Sequence, residues 1–409
     1  MEINSGDTAW ILVSTALVLM MTPALAFFYG GMVRQKNILS TLNLSIITMG
    51  VISIQWILFG YSLSFGENIG GFIGGLNHLG LAGIGTEAGD YAGNLPGYLF
   101  VAFQMTFAII TPALITGAFV ERIRFKSYLV FIILWATLVY DPICHWVWGS
   151  GGWFGGDGLG ALDFAGGTVV HISAGLSALA FAMVIRARKG FGERHFEPHN
   201  IPYTVLGAGL LWMGWFGFNG GSSLAADGIA VAALLNTNTA AAAAMVVWML
   251  LAWSDDKPGV MGIVTGAVCG LVAITPAAGF VTPMSALLIG AVAAPVSYYT
   301  IKFVESRGLD ESLDVFACHG MSGIWGALAT GLFATTSINP GAADGLFYGN
   351  PGQFVAQLIT VVVAAAFAFI VTFVIAKILD GIWGLRVSPE EEEAGLDISE
   401  HGERAYASS

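Results

Sequence analysis

The chain has 409 residues, of which 56% are hydrophobic and 10% charged, and its formal net charge is −12 at pH 7. Average soluble domains carry about a quarter charged residues, so these numbers exclude a water-soluble globule and make a lipid bilayer the partner of the surface. The acidic balance, with no basic cluster able to track a phosphate backbone, excludes nucleic acid.

The first apolar run follows "MEINSGDTAW". Ala24-Leu25-Ala26 imitates a signal-peptide cleavage site, but the residues before it are acidic where a signal needs a basic region, so the run reads as a retained membrane helix. Eleven apolar segments can be marked, with cores at 9–32, 38–64, 95–120, 128–149, 163–186, 200–223, 228–253, 258–276, 282–302, 315–335 and 353–378. A helix rising about 1.5 Å per residue crosses a hydrocarbon core about 30 Å thick in roughly this length. Helices are the expected form because lipid offers the backbone no hydrogen-bond partner.

Basic residues set the orientation. Arg34 and Lys36 follow segment one, Arg122, Arg124 and Lys126 segment three, and Arg186, Arg188, Lys189 and Arg194 segment five. Lys257 follows segment seven, Lys302 and Arg307 segment nine, and Lys377, Arg386 and Arg404 close the chain. All therefore fall on one side, which is the cytoplasmic one, leaving the N-terminus outside and the C-terminus inside. A miscounted span would scatter them over both faces. The expected fold is an all-α membrane protein of eleven transmembrane helices over 1–385, with a cytoplasmic C-terminal tail at 386–409. The outer loops hold Glu67, Glu87, Asp90, Asp157, Asp227 and Asp344 and no basic residue. Each carboxylate singly reflects topology; the face as a whole attracts cations.

An odd count suggests an inverted five-plus-five repeat with one extra helix. "FFYGGM" at 27–32 is echoed by "WFGFNGGS" at 215–222, and His171-Ile-Ser-Ala-Gly175 by His319-Gly-Met-Ser-Gly323. The two histidines occupy corresponding places in apolar helices and are expected to be partners. A buried histidine is usually a neutral core residue, but inside a membrane an ionisable group is costly and marks a pathway. Haem or metal ligation is the rival reading; no third ligand lies nearby in sequence, so no metal and no cofactor is expected. Cys144, Cys269 and Cys318 form no CxxC or zinc spacing and read as buried inert thiols. No hydrolase triad or phosphate loop occurs, and the glycine-rich "GGLNHLGLAGIG" lies in an outer loop, so an enzyme is not expected.

Phe103 and Phe107 are four apart, on one helix face. Trp148 stands at the outer end of segment four, and Trp215, Phe218, Ser222 and Ser223 in the outer half of segment six. Trp146 and Trp153 read as interface anchors. Phe107 and Phe218 alone would read as core packing. Aromatics with a hydroxyl can instead cage a small cation, at about 0.5–2 kcal/mol per ring.

"FFYGGMVRQKN", "GAFVERIRF", "ALDFAGGTVVHISAG", "GWFGFNGGS", "DVFACHGMSGIWG" and "GLDISEHGERAY" together resemble the ammonium transporter family, in its bacterial Amt branch, over essentially the whole chain. The resemblance implies an outer ammonium-recruitment site of Phe103, Phe107, Trp148 and Ser222, with a gate of stacked Phe107 and Phe218 beneath it. It implies that His171 and His319, hydrogen-bonded to each other, line a narrow pore, and that Asp163 is a structural carboxylate, which a helix N-cap would also explain. It further implies a homotrimer in the bacterial cytoplasmic membrane, ammonium or methylammonium as substrate, and an ordered tail that helps a PII-type regulatory protein dock. The expected activity is inward ammonium transport, as ammonia with a separately relayed proton and hence electrogenic; the alternatives are a passive ammonia channel and a sensor that transports poorly. A sensor would be expected to carry an added signalling domain, and the tail after Gly381 is short.

Overall fold

The computed structural model describes residues 2–91 and 93–406; residues 407–409 of the expected tail lie outside the described residues. Helices succeed one another in chain order: α1 Ser5–Met32, α2 Gln35–Phe65, α3 Gly97–Ala118, α4 Phe125–Trp148, α5 Gly167–Ile185, α6 Ile201–Ser223, α7 Gly228–Asp255, α8 Val260–Ile274, α9 Pro283–Ser306, α10 at 316–333 and α11 Pro351–Ile382. Among the described residues nine of these are long and apolar enough to cross a membrane, and the chain is a multi-pass membrane protein. α8 is apolar but only 15 residues long. Two-residue strands β1 Asn68–Ile69 and β2 Ile73–Gly74 pair antiparallel in the loop after α2.

Local sequence explains the helix starts. Asn4, Asn200, Asp227 and Thr282 each accept backbone N–H groups from the first turn of α1, α6, α7 and α9. Proline stands in the first turn of α6, α9 and α11, where its missing N–H is harmless. α1 packs along α6, α7 against α8 and α9, and α5 against α11. Four helices contain a π-helical turn: Trp56–Gly60 in α2, Ala136–Tyr140 in α4, Gly167–Ile172 at the start of α5 and Phe316–Met321 at the start of α10.

Trp146 is not an interface anchor. It is 1% exposed, and its indole N–H donates to the Phe72 carbonyl at 2.7 Å. The loop after α2 folds back over the end of α4 and covers the ring.

At the basic end of the bundle a buried ion network ties the helices together. Glu121 Oε1 accepts from Arg34 Nε and Asn37 Nδ2, each at 2.9 Å, and Glu121 Oε2 pairs with Arg188 Nη1 at 2.7 Å. Arg188 also forks onto Asp310, with Nη2 2.7 Å from Oδ1. The tail docks on this network through two short helices, α12 Pro389–Ala394 and α13 Leu396–His401. Glu392 pairs with Arg386 at 2.6 Å and accepts the Lys189 amide at 2.7 Å, while Asp397 accepts the Ser40 amide at 2.8 Å. Of its acidic run, Glu392 is thus buried on partners at the basic end, whereas Glu390 and Glu393 are exposed.

Candidate functional site

His171 and His319 are brought together, each by the π turn that opens its helix. Their Nδ1 atoms lie 3.2 Å apart and their rings are nearly parallel, with centroids at 5.3 Å. Both rings are buried. Glycine makes the approach possible. A Cβ on Gly175 would stand 2.1 Å from the Gly320 amide nitrogen, and one on Gly323 would stand 3.1 Å from His171 Cβ. The glycine four residues after each histidine is therefore what lets α5 and α10 cross at the imidazoles.

Asp163 holds the start of α5. Its Oδ1 accepts the Gly166 and Gly167 amides at 2.8 and 2.7 Å, and its Oδ2 those of Thr168 and Val169 at 2.8 and 3.2 Å. Gly166, at φ +110°, turns the chain so that these amides converge on one carboxylate. With four N–H groups bound, the acceptor capacity of the carboxylate is filled. Sequence reasoning missed its counterpart. Glu311 accepts the Val315 and Phe316 amides at 2.7 and 2.8 Å at the start of α10. Both carboxylates precede their histidine by eight residues (163 to 171, 311 to 319), and this equal spacing was the available signal.

The aromatic residues form a continuous column. Trp148 meets Phe107 edge-on at 6.1 Å, Phe103 meets Phe107 at 5.0 Å, and Phe107 stacks on Phe218 at 4.2 Å. Phe218 lies 6.0 Å from His171, and Trp215, also missed as a partner of the histidine, stacks on it at 5.5 Å. Hydrogen bonds fix the polar edges. Trp148 Nε1 donates to the Asp163 carbonyl at 2.9 Å and Trp215 Nε1 to Thr275 Oγ1 at 2.8 Å. Ser222 donates its hydroxyl proton to the Phe218 carbonyl at 2.8 Å, so the oxygen keeps only lone pairs for anything else. Ser223 turns instead to Asp227.

Three cavities follow one another. The first, about 520 Å³, is lined by Phe103, Phe107, Trp148, Asp163 and Ser222 among others. The second has room for about 10 Å³ and is lined by Phe218, Trp215, His171 and His319 with aliphatic neighbours. The third, about 210 Å³, is lined by His319, Cys318, Asp314 and Tyr29. The Phe107–Phe218 stack separates the first from the second, since each ring lines one of them, and His319 lines both the second and the third. His171 Nε2 is buried without a hydrogen-bond partner and borders the second cavity.

Fold and site together define a polytopic helical membrane protein built around a narrow, interrupted passage with imidazoles at its tightest point. The chain belongs to the Ammonium Transporter Family, whose model matches residues 9–406. It is 51% identical over 406 residues to an ammonium transporter of Bacillus subtilis, covering 99% of both chains. It is 51% identical over 403 residues to ammonium transporter Amt1 of Archaeoglobus fulgidus, covering 98% of this chain and 100% of that one. Among solved structures, Candida albicans Mep2 superposes with a TM-score of 0.90 at 34% identity, over 95% of this chain and 88% of that one. A structure described as a sensor Amt protein superposes with a TM-score of 0.87 at 30% identity, over 97% and 98%.

Proposed function

We propose that this protein carries ammonium into a bacterial cell across the cytoplasmic membrane, as ammonia with a separately relayed proton. In this reading all eleven helices cross the bilayer as an inverted five-plus-five repeat with one extra helix, the N-terminus outside and the basic end inside. Three copies assemble as a homotrimer with one passage each, and a PII-type protein is the regulatory partner at the docked tail. The first cavity recruits the cation between Trp148, Phe103, Phe107 and the Ser222 oxygen. The observation that carries the proposal is the His171–His319 pair bordering a space of about 10 Å³ between two much larger cavities.

The physical case rests on dehydration. A space of this size admits about one water, so an ion entering it sheds its shell. Moving a bare monovalent ion into such a medium costs of order 20 kcal/mol in the idealised Born limit. Potassium has no way around that cost. Ammonium does, because it can leave a proton at the Phe107–Phe218 stack and continue as ammonia, whose polar-group desolvation is only about 4–8 kcal/mol before any hydrogen bond to imidazole.

The histidine pair has the tautomeric asymmetry a relay needs. An Nδ1···Nδ1 bond requires one ring to donate and the other to accept. The donor ring therefore presents a lone pair at Nε2 and the acceptor ring presents Nε2–H. A proton arriving at the first Nε2 pushes the Nδ1 proton across and expels the far Nε2 proton, leaving the pair inverted. Net movement of charge would then draw on the membrane potential, about 2.3 kcal/mol per charge per 100 mV. Reconstituted protein on a solid-supported membrane tests this. A current on an ammonium jump, absent in His171→Ala and with potassium alone, is expected. Nitrogen uptake without current would establish the passive ammonia channel instead.

A further inference from the structure

Two thiols stand beside the passage, and nothing in the transport reading uses them. Cys269 in α8 and Cys318 in the π turn of α10 are free and buried, and they pack in one cluster with Trp248. Ser297 donates to the carbonyl of Ala317, the residue before Cys318, at 2.8 Å, and its oxygen lies 2.7 Å from the Ser322 hydroxyl. Cys318 lines the third cavity and immediately precedes His319. Access from the basic end and a second sulfur behind the first are thus both present. Cys144 belongs to a different core cluster.

We propose that Cys269 and Cys318 form a two-sulfur site for a soft monovalent cation, Ag⁺ or Cu⁺, entered from the third cavity, and that its occupation blocks the passage. The chemistry balances without a redox partner. One S–H bond breaks and its proton leaves to water in the cavity; an S–metal bond forms in its place; the second sulfur donates a lone pair as a neutral thiol. One proton is exchanged for one positive charge, so the buried site stays neutral and escapes the penalty of burying an unpaired ion. Soft thiolate and thiol ligands select such cations, whereas potassium and ammonium gain nothing from sulfur. The bound ion would tie α8 to the turn that carries His319 and would occupy the wall of the third cavity.

Purified full-length protein in chloride-free nitrate buffer, titrated with silver nitrate and read by native mass spectrometry, tests binding independently of any transport activity. One silver per chain is expected for the wild type and for Cys144→Ser. Removing either sulfur should weaken binding by at least about 100-fold, the upper end of what losing even a supporting contact costs a metal site. Unchanged affinity in both Cys269→Ser and Cys318→Ser would overturn the proposal. If either variant fails to fold, X-ray absorption of the silver-loaded wild type decides: two sulfur neighbours are expected, and one or none refutes the site. The blocking step rests on the transport reading. Methylammonium uptake by wild-type proteoliposomes should stop at one silver per chain, and uptake undiminished with silver bound would refute blockage alone. An absence of uptake before silver is added would instead count against the transport reading.

Discussion

Replacing Asp163 by Asn separates two roles that its position allows. The carboxylate accepts four backbone amides, two on each oxygen. The amide of Asn keeps one accepting oxygen and turns an N–H donor toward two of those amides, so two charge-assisted bonds are lost and the remaining two become neutral. Hydrogen bonds to charged groups contribute about 1.5–3 kcal/mol each, which puts the loss near 3–6 kcal/mol. That is large enough to fray the π turn that carries His171. Thermal unfolding in detergent and methylammonium uptake, measured on the same preparation, should fall together. An Asp163→Asn protein with wild-type thermal stability and a raised half-saturating concentration would refute the capping argument and assign the carboxylate to the cation.

Trp148→Leu removes the ring that edges the first cavity; a lost cation–π contact of about 0.5–2 kcal/mol predicts a half-saturating methylammonium concentration raised roughly 2- to 30-fold with the saturated rate kept. An unmoved half-saturation point would take Trp148 out of recruitment. Burial pushes the Glu121 carboxyl up, but Arg188 and Arg34, with Asn37, hold it down to about 2. A depressed carboxyl stabilises the fold above its unfolded value and loses that stabilisation as pH falls from about 4.5 through about 2, an effect of order 3 kcal/mol. Glu121→Gln should therefore be less stable at neutral pH and show a flatter acid limb in thermal unfolding between pH 3 and 7; an unchanged limb would remove Glu121 from the network. Gly175→Ala places a Cβ 2.1 Å from backbone that cannot yield, whereas one on Gly50 meets nothing within 4 Å. The first should lower the unfolding temperature by an amount matching at least about 1–3 kcal/mol and the second should not lower it at all; equal effects would contradict the crossing described for α5 and α10.

Much of this site was legible because membranes make polar residues conspicuous. Two histidines in apolar runs could be paired by position alone. What stayed hidden depends on tertiary neighbours. The π turns leave no mark in residue spacing, yet they aim both imidazoles. Asp163 was readable as a cap but not as the acceptor of four amides, because Gly166 must first turn the chain. Trp146 was misread because an aromatic residue ending an apolar run looks the same whether lipid or a returning loop covers it. The docking partners of the tail could not be named in advance, because Lys36, Ser40 and Lys189, which bind Glu392 and Asp397, stand far from them in the chain. Cys269 and Cys318 could not be paired without the packing of α8 on α10.

The two capping carboxylates have a consequence for selectivity. α5 begins at the first cavity, which Asp163 lines, and α10 begins at the third, which Asp314 lines. An uncapped helix N-terminus carries about half a positive charge and gathers anions, which would repel the proposed substrate from both mouths. The Asp163 carboxylate at the start of α5 reverses the sign there to about half a negative charge, whereas burial, with Asp314 beside it, pushes the Glu311 carboxyl up to about 8, so at neutral pH its contribution at α10 is the cap rather than the charge. Because the oxygens are held by backbone amides, neither carboxylate can swing out to grip a dehydrated cation. In the proposed reading, the first cavity would therefore concentrate monovalent cations without preferring one and without holding it tightly. Discrimination is left to the place where hydration is lost, and there the polar groups bordering the space are imidazoles, which reward a molecule that donates and accepts hydrogen bonds and offer a bare metal ion no compensating charge.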